Sequence, residues 1–189
     1  MNNYIFVVSA PSGAGKTSLL KEFLSTDFGK QNFVVAISHT TRLPRAGEIN
    51  GKEYHFISVE NFEQMISDNG FVEYAKVFTN YYGTSVIEID KLLSESKNII
   101  LEIDWQGAIQ TRNIYKDKCK SLFVLPPSLI ELESRLKNRK TDSVDVIAYR
   151  MEQAESEISH VSEYDFSLIN DDFTESVKKL ENYFRDNIQ

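Results

Sequence analysis

Short apolar runs alternate along the chain with longer segments in which apolar residues recur at helical spacing. The runs at 98–101 and 121–125 are almost continuously apolar, which is typical of strands covered by helices on both faces. Strands that alternate with helices in this way predict an α/β fold around a parallel sheet. The pattern predicts strands at 4–9, 33–37, 98–104, 121–125 and 165–169, helices at 16–25, 59–69, 85–94, 107–115, 129–138, 144–160 and 173–187, and short extended pieces at 53–57, 71–77 and 81–84.

Two segments interrupt this alternation. Segment 38–83 is polar and rich in short extended pieces, and segment 127–157 is helical and carries several arginines. Two helix starts near them are marked by capping residues: Ser128 is followed by Glu131, and Asp172 by Glu175. We therefore expect one domain, with both segments as excursions that close over ligands from a core formed by 1–37, 84–126 and 158–189.

A Gly-rich turn joins the first predicted strand to the first predicted helix. A strand that enters such a turn and then a helix predicts a P-loop, whose backbone N–H groups and helix N-terminus cradle a polyphosphate. Lys16 would reach the outer phosphates and the Thr17 hydroxyl would ligate Mg²⁺. Ala10 stands where the general pattern has glycine, and the alternative is a strand–helix turn without a ligand. The turn and its flank comprise Ala10, Pro11, Ser12, Gly13, Ala14, Gly15, Lys16, Thr17 and Ser18.

Composition and charge exclude several classes of protein. The 189 residues carry a net charge of −7, which argues against nucleic acid or an anionic membrane as the main partner. No apolar run approaches the roughly 20 residues of a membrane span, and the N-terminus does not resemble a signal peptide. Cys119 is the single cysteine, so we expect a packing residue in a cytoplasmic protein. The three histidines lack ligand spacing, so a metal held by protein side chains alone is not expected.

A second group of polar residues lies in segment 38–83. Arg42 and Arg45 stand beside several hydroxyls, and Pro44 keeps the segment from forming a regular helix. Two guanidinium groups with hydroxyl donors suit a phosphate monoester, because each planar fork binds two oxygens at once. The phenols of Tyr54 and Tyr82 could donate to the same phosphate. Taken alone, such an arginine pair is more often a solvated basic turn.

Seven segments follow one another along the chain in a fixed order: 38–48 (SHTTRLPRAGE), 51–56 (GKEYHF), 71–75 (FVEYA), 81–84 (YYGT), 102–107 (EIDWQG), 135–139 (RLKNR) and 169–172 (INDD). These motifs and their order resemble the guanylate kinase family over nearly the whole chain. The resemblance implies a P-loop NTPase-type three-layer α/β core with a parallel sheet, an inserted GMP-binding subdomain (38–83) and a helical lid (127–157). It also implies the reaction ATP + GMP = ADP + GDP with Mg²⁺, and a monomer or small homo-oligomer.

The resemblance also implies a role for individual residues. The phosphate of GMP would be held by Arg42, Arg45, Tyr54 and Tyr82. The guanine would be read by Ser38, Glu73, Thr84 and Asp104, with Gly83 allowing a close backbone approach. ATP and Mg²⁺ would be held by the Gly-rich turn with Lys16 and Thr17, and Glu102 and Asp104 would lie near the metal through water. The transferring phosphates would be clamped by Arg135, Arg139 and Arg150, and the adenine would lie by Asn170. The residues expected to act in catalysis are Lys16, Arg42, Arg135, Arg139 and Arg150.

The chemistry of guanine supports this interpretation. Its ring N1–H and exocyclic amine are adjacent donors that one carboxylate, such as Glu73, accepts together, whereas adenine presents an acceptor there. Such polar pairing can reject the wrong base by about 10⁴-fold. Two positions depart from the family pattern, Glu102 where Asp is common and Lys140 where Gly is usual. The alternatives are a kinase for another small phosphate monoester and an inactive guanylate-kinase-like binding module.

Overall fold

The central sheet is parallel and has the strand order β2-β7-β1-β8-β9. A computed structural model describes residues 3–77, 79–95, 97–138 and 143–188 of the chain. Three buried strands form the middle of the sheet, and their C-terminal ends meet at one edge. The strands of this sheet are β1 (Ile5–Ser9), β2 (Phe33–Val35), β7 (Asn98–Glu102), β8 (Cys119–Leu125) and β9 (Phe166–Ile169).

Helices cover both faces of the central sheet and produce three layers. One face packs on α1 and α8 through a cluster that includes Phe6, Phe23 and Phe184. The other face packs on α4 and α5 through Ile89, Ala108 and the buried Cys119. This confirms the predicted α/β fold and the packing role of the cysteine. The helices are α1 (Lys16–Ser25), α2 (Asp27–Asn32), α3 (Val59–Ser67), α4 (Val86–Ser94), α5 (Trp105–Tyr115), α6 (Leu129–Asn138), α7 (Val144–Ser159) and α8 (Phe173–Asn187).

A smaller, four-stranded sheet forms within segment 38–83 and the residues that follow it. Its strands are β3 (His39–Thr40), β4 (His55–Phe56), β5 (Phe71–Val77) and β6 (Asn80–Ser85), in the order β4-β3-β6-β5. The pairs β3–β6 and β5–β6 are antiparallel. Phe62 of α3 stacks between Phe71 and Tyr81 and is fully buried, so the small sheet has its own aromatic core. Its outer strand β5 packs against α5 of the central layer.

The observed elements differ from the predicted ones in a few places. The strand predicted at 33–37 ends at Val35, and the helix predicted at 107–115 begins at Trp105. The short helix α2 was not predicted; Thr26 caps it by accepting a hydrogen bond from the Gly29 amide. The predicted helix starts at Ser128 and Asp172 are confirmed, because their side chains accept from the amides of Glu131 and Glu175.

Helices α6 and α7 pack on each other at one end of the sheet. Their contact is a small apolar cluster of Leu132, Leu136, Ile147 and Ala154. The segment between them contains Arg139 and Lys140, so the predictions for these two residues lie outside the described part of the chain. Over the residues that the structure does describe, no helix is both long and apolar enough to cross a membrane.

Candidate active site

The turn between β1 and α1 has the backbone geometry of an anion-binding loop. Gly13 and Gly15 have φ angles of 103° and 96°, which residues with a Cβ rarely adopt. The side-chain amide of Asn170 donates to the carbonyl oxygen of Ala14 (2.7 Å) and packs so closely on Gly15 that a Cβ would clash with it. Asn170 thus supports the turn where it follows the C-terminal end of β1.

Glu102, the last residue of β7, contacts both functional side chains of the turn. Its Oε2 accepts a hydrogen bond from the Thr17 hydroxyl (3.0 Å) and lies 3.9 Å from the Lys16 Nζ. Because β1 and β7 are neighbouring parallel strands, the end of β7 is adjacent to the start of the turn. A hydroxyl and a carboxylate beside a phosphate cradle match the oxygen ligands that Mg²⁺ prefers, with substrate phosphates and water completing its shell.

The side chains that the structure describes do not by themselves form a metal cage. Within residues 3–77, 79–95, 97–138 and 143–188, no group of three or more His, Cys, Asp or Glu residues could hold a metal ion. A site of one hydroxyl and one or two carboxylates fits Mg²⁺ that arrives with a nucleotide, because Mg²⁺ usually keeps several waters and phosphate oxygens.

A cavity of about 490 Å³ runs from the Gly-rich turn to the small sheet. It is lined by residues of both sheets and of α7, so it lies where the core meets both excursions. The predicted site residues that line it are Ala10, Pro11, Ser12, Gly13, Gly15, Lys16, Thr17, Ser18, Ser38, Arg45, Tyr54, Glu73, Tyr82, Gly83, Glu102, Asp104 and Arg150. Those that do not line it are Ala14, Arg42, Thr84, Arg135 and Asn170.

Glu73 is the most deeply buried carboxylate in this cavity, with 3% of its surface exposed. The pKa of Glu73 is raised to about 7: burial is the largest cause, hydrogen bonding by Thr84 acts to lower it, and the charge of Asp104 acts to raise it. Its Oε1 is buried without a hydrogen-bond partner among the residues described. A buried acceptor that lacks a donor costs free energy unless a ligand supplies one, so Glu73 is suited to bind a ligand that has N–H groups.

Asp104 both caps a helix and lines the cavity. Its Oδ1 accepts from the Gly107 amide (2.9 Å) and caps α5, and its Oδ2 accepts from the Gln106 side chain (3.3 Å). Glu73 lies against the same helix start, because a Cβ at Gly107 would collide with the Glu73 carboxylate. The first turn of α5 therefore brings both acidic side chains to one wall.

Arg42 lies behind the cavity wall. Its guanidinium is about 5.5 Å from the ring centre of Tyr54, which does line the cavity. Both of its terminal nitrogens donate to Glu48, and the pKa of Arg42 is raised chiefly by this hydrogen bonding. The phenols of Tyr54 and Tyr82 lie next to each other, with ring centres 5.8 Å apart. This half of the cavity thus carries donors and positive charge.

Helix α7 brings a further arginine to the turn. Arg150 lines the cavity and donates from Nη1 to the Ser12 hydroxyl (2.7 Å). Arg135 of α6 lies outside the cavity; it is paired with Glu131 (3.0 Å) and donates to the Asn170 carbonyl (3.3 Å).

Sequence reasoning missed several residues that line the cavity. Glu157 of α7 is the most informative, because burial and the charge of Asp104 raise its pKa to about 7 while Lys16 lowers it. Trp105 stacks on His160, which ends α7, with ring centres 3.8 Å apart. Trp105 could have been found from its position next to Asp104, whereas no local sequence feature marked Glu157. The missed residues are Ala75, Lys76, Val77, Ile103, Trp105, Gln106, Tyr149, Gln153 and Glu157.

Comparisons with known proteins agree on one family. The family model described as guanylate kinase matches residues 2–187. A guanylate kinase of Francisella tularensis subsp. tularensis (strain SCHU S4) is 67% identical over 189 residues, which is the full length of both chains. A guanylate kinase of Histophilus somni (strain 129Pt) is 53% identical over 182 residues, covering 96% of this chain and 86% of that one.

Solved structures give the same result for the fold. The crystal structure of guanylate kinase from Anaplasma phagocytophilum has a TM-score of 0.80 and 31% identity, and the match covers 99% of this chain and 87% of that chain. Shikimate kinase from Bacteroides thetaiotaomicron has a TM-score of 0.54 and 15% identity, with 96% and 98% covered, which is a likeness of fold alone.

Proposed function

The chain belongs to the guanylate kinase family and phosphorylates GMP with ATP, and we propose that its central cavity holds both nucleotides in line for that transfer. The observation that supports this most directly is that the Gly-rich turn and the buried Glu73 line the same cavity. The turn takes the ATP phosphates, and Glu73 takes the guanine. The cavity between them is where the two phosphate groups meet.

Glu73 and Asp104 read the guanine in this proposal. The Glu73 carboxylate accepts from the ring N1–H and the exocyclic amine of guanine, so the base supplies the donor that the buried Oε1 of Glu73 lacks. Ser38 completes this end of the cavity, and Thr84 supports it from outside the lining, with its hydroxyl 3.1 Å from that of Ser38. A wrong base would leave a buried carboxylate without a donor, which is how polar sites achieve high selectivity.

Arg45, Tyr54 and Tyr82 hold the phosphate of GMP from the small sheet, and Arg42 supports them from behind Tyr54. No general base is needed, because a phosphate monoester has a second pKa of about 6 and is already a nucleophilic dianion at neutral pH. Catalysis then consists of bringing two anions into line and balancing the charge that spreads over the transferring group.

The cations for this task come from the turn and from the lid. Lys16 holds the outer phosphates, and Arg150 approaches them from α7, where it contacts Ser12 (2.7 Å). Arg135 and Arg139 join when the lid, residues 127–157, closes over the ATP. Closing would also exclude the water that hydrolyses ATP. The GMP-binding subdomain, residues 38–83, closes from the other side.

Mg²⁺ belongs to the site as the partner of ATP. Thr17 would hold it directly, and Glu102 and Asp104 would hold it through water. When bound, the ion supplies Lewis-acid stabilisation of the phosphate charge. The close contact of Glu102 with Thr17 and Lys16 supports this assignment.

The proposal places the whole reaction in the cavity of one chain, so it is compatible with a monomer or a small homo-oligomer. We place the protein in the cytoplasm, where its nucleotide substrates are made and where the buried Cys119 stays reduced. Nucleic acid is not a partner in this proposal, because the chain carries a net charge of −7.

A coupled ADP-release assay tests the assignment of the site. The purified protein with Mg²⁺-ATP is offered GMP, AMP, UMP and CMP, each with wild-type enzyme and with Glu73→Gln. GMP should be clearly preferred, and the variant should lose most of that preference. A preference for GMP that survives in the variant would remove Glu73 from the guanine site. Equal use of all four monophosphates would indicate a kinase for another monoester, and absence of turnover a binding module.

A further inference from the structure

Gln110 of α5 makes an unusual pair of contacts with the edge of the small sheet. Its side-chain Nε2 donates to the Tyr74 carbonyl (2.8 Å), and its Oε1 accepts from the Tyr74 amide (3.2 Å). Tyr74 lies in β5, the last strand in the order β4-β3-β6-β5. The amide of Gln110 therefore pairs with both backbone groups of one residue, as a further strand of the sheet would.

Tyr74 directly follows Glu73, and α5 contacts both residues. Gly107 and Gln110 are three residues apart, so they share one face of the helix. Gly107 leaves so little room that a Cβ there would collide with the Glu73 carboxylate. Gln110 ties the next residue of the strand to the same helix. The helix thus limits how far Glu73 can move inwards, and the side-chain amide keeps the strand from moving away.

The strand needs this support at this position. The pairing of β5 with β6 shifts register between Phe71 and Glu73, so the ladder is irregular immediately before the carboxylate. A bulge disrupts the hydrogen-bonded ladder locally, and an edge strand has a neighbouring strand on one side only. Burying the Glu73 carboxylate costs free energy, as its raised pKa indicates. Outward movement of the strand would reduce this cost.

We propose that Gln110 is a positioning residue for guanine recognition, which holds the Glu73 carboxylate at the cavity wall by clamping the backbone of Tyr74 to α5. This rests on the proposed reading of guanine by Glu73. Gln110 does not touch the nucleotide. It sets the depth at which the carboxylate meets the base edge, and so it contributes to discrimination between guanine and bases with fewer donors.

The test replaces Gln110 with methionine, which keeps the length and helix propensity of the side chain. The change removes both hydrogen bonds to Tyr74 and a donation to the Gln106 carbonyl within α5 (3.3 Å). The KM for GMP should rise about threefold to tenfold, while kcat and the KM for ATP stay within about twofold. The preference for GMP over IMP, which lacks the exocyclic amine, should narrow by a similar factor. Amide hydrogen exchange at Tyr74 should accelerate.

Gln64→Met is the matched control. Gln64 also makes two side-chain hydrogen bonds, to both Asp68 oxygens (3.1 Å each), but it lies on α3 and contacts no strand through them. It should leave both KM values and the GMP-to-IMP preference unchanged. If Gln110 only stabilises the fold, Gln110→Met should lower the melting temperature without changing the GMP-to-IMP preference. This result would overturn the proposal.

Glu73→Gln in the same assays distinguishes the positioning role of Gln110 from the guanine-binding role of Glu73. If Glu73→Gln narrows the GMP-to-IMP preference and Gln110→Met does not, the positioning role is wrong and the guanine site stands. If Glu73→Gln leaves the preference unchanged, the guanine assignment fails and the positioning role fails with it. Unchanged exchange at Tyr74 in Gln110→Met would also refute the clamp.

Discussion

Arg42 and Glu48 form a bidentate ion pair, with N···O distances of 3.0 and 2.9 Å. The same Glu48 accepts from the Arg45 backbone amide (2.6 Å), so one carboxylate orients both arginines of this turn. Both side chains of the pair are mostly shielded from water, at 15% and 17% exposed. The Arg42 side chain is thus held in place by a third residue, whereas Arg45 is exposed and contacts Glu48 through its backbone amide.

Glu48→Gln should therefore weaken GMP binding. A glutamine keeps one acceptor but loses the charge and the second acceptor, so Arg42 is left partly desolvated with one donor unpaired. We expect the KM for GMP to rise about tenfold, with a loss of about 1–2 kcal/mol in the free energy of unfolding. Steady-state kinetics and urea unfolding measure these effects. An unchanged KM for GMP would show that the orientation of Arg42 is irrelevant to the phosphate.

Lys16→Ala should reduce kcat by about 10²-fold or more while the fold is kept. Lys16 is partly exposed in the cavity and its nearest ionic partner is Glu102, 3.9 Å away, so little packing is lost on truncation. What is lost is a fixed cation opposite the transferring charge. Lys21→Ala on the exposed face of α1 is the control and should have normal turnover. A kcat near wild type in Lys16→Ala would contradict the proposed phosphate cradle.

Glu73→Gln should be more stable than the wild-type protein at alkaline pH. The folded-state pKa of Glu73 is raised to about 7 from its ordinary value of 4.5. The contribution of Glu73 to the stability of the folded state is therefore fully present below about pH 4.5. It is lost as the pH rises through 7, where the buried carboxyl must ionise. At pH 8 the variant should gain up to about 3 kcal/mol, and below pH 4.5 the two proteins should converge. Thermal unfolding at pH 4.5 and pH 8 measures the difference.

Glu157→Gln is the matched comparison for that prediction. Its carboxyl lies in the same cavity and its pKa is also raised to about 7 by burial. It should show a similar gain in stability at pH 8. Only Glu73→Gln should lose the preference for GMP over IMP. Equal losses of preference in both variants would mean that the acidic wall acts as a whole and that Glu73 is not a specific reader.

The parts of this fold that the sequence predicted are those set by local signals. The turn between β1 and α1, the apolar strands and the cap at Asp172 depend on residues within one or two turns of each other. The two-residue strand β3 was not predictable, because it exists through pairing with β6, more than 40 residues away. The short helix α2 was missed because Gly29 reads as a helix breaker, although the Thr26 cap accepts from its amide.

In the candidate site too, residues in local motifs were predicted and residues placed by tertiary packing were not. Its motif residues were predicted from resemblance and residue chemistry, and most of them line the cavity. Glu157 and Gln110 were not, because their positions depend on how α7 lies at the cavity and how α5 packs on the small sheet. Arg42 was predicted as a site residue, but its pairing with Glu48 follows from the path of the turn between them. Local chemistry identifies a functional group, whereas tertiary packing decides what it faces.

Asn170→Ala should show whether this residue supports the Gly-rich turn or reads the adenine. The side chain is 6% exposed, and its amide donates to the Ala14 carbonyl of the turn. Removing it leaves a buried carbonyl without a donor, which costs about 1–3 kcal/mol. We expect a lower melting temperature without nucleotide and a higher KM for ATP.

Asn32→Ala is the control, since its amide also donates to a backbone carbonyl, that of Phe28 (2.9 Å), but far from the turn. It should lower stability without changing the KM for ATP. The choice of phosphate donor separates the two roles of Asn170: a residue that supports the turn affects ATP and GTP equally, because both bind through the same phosphates. A higher KM for ATP alone, with an unchanged melting temperature, would assign Asn170 to the adenine. The turn would then be supported by other contacts.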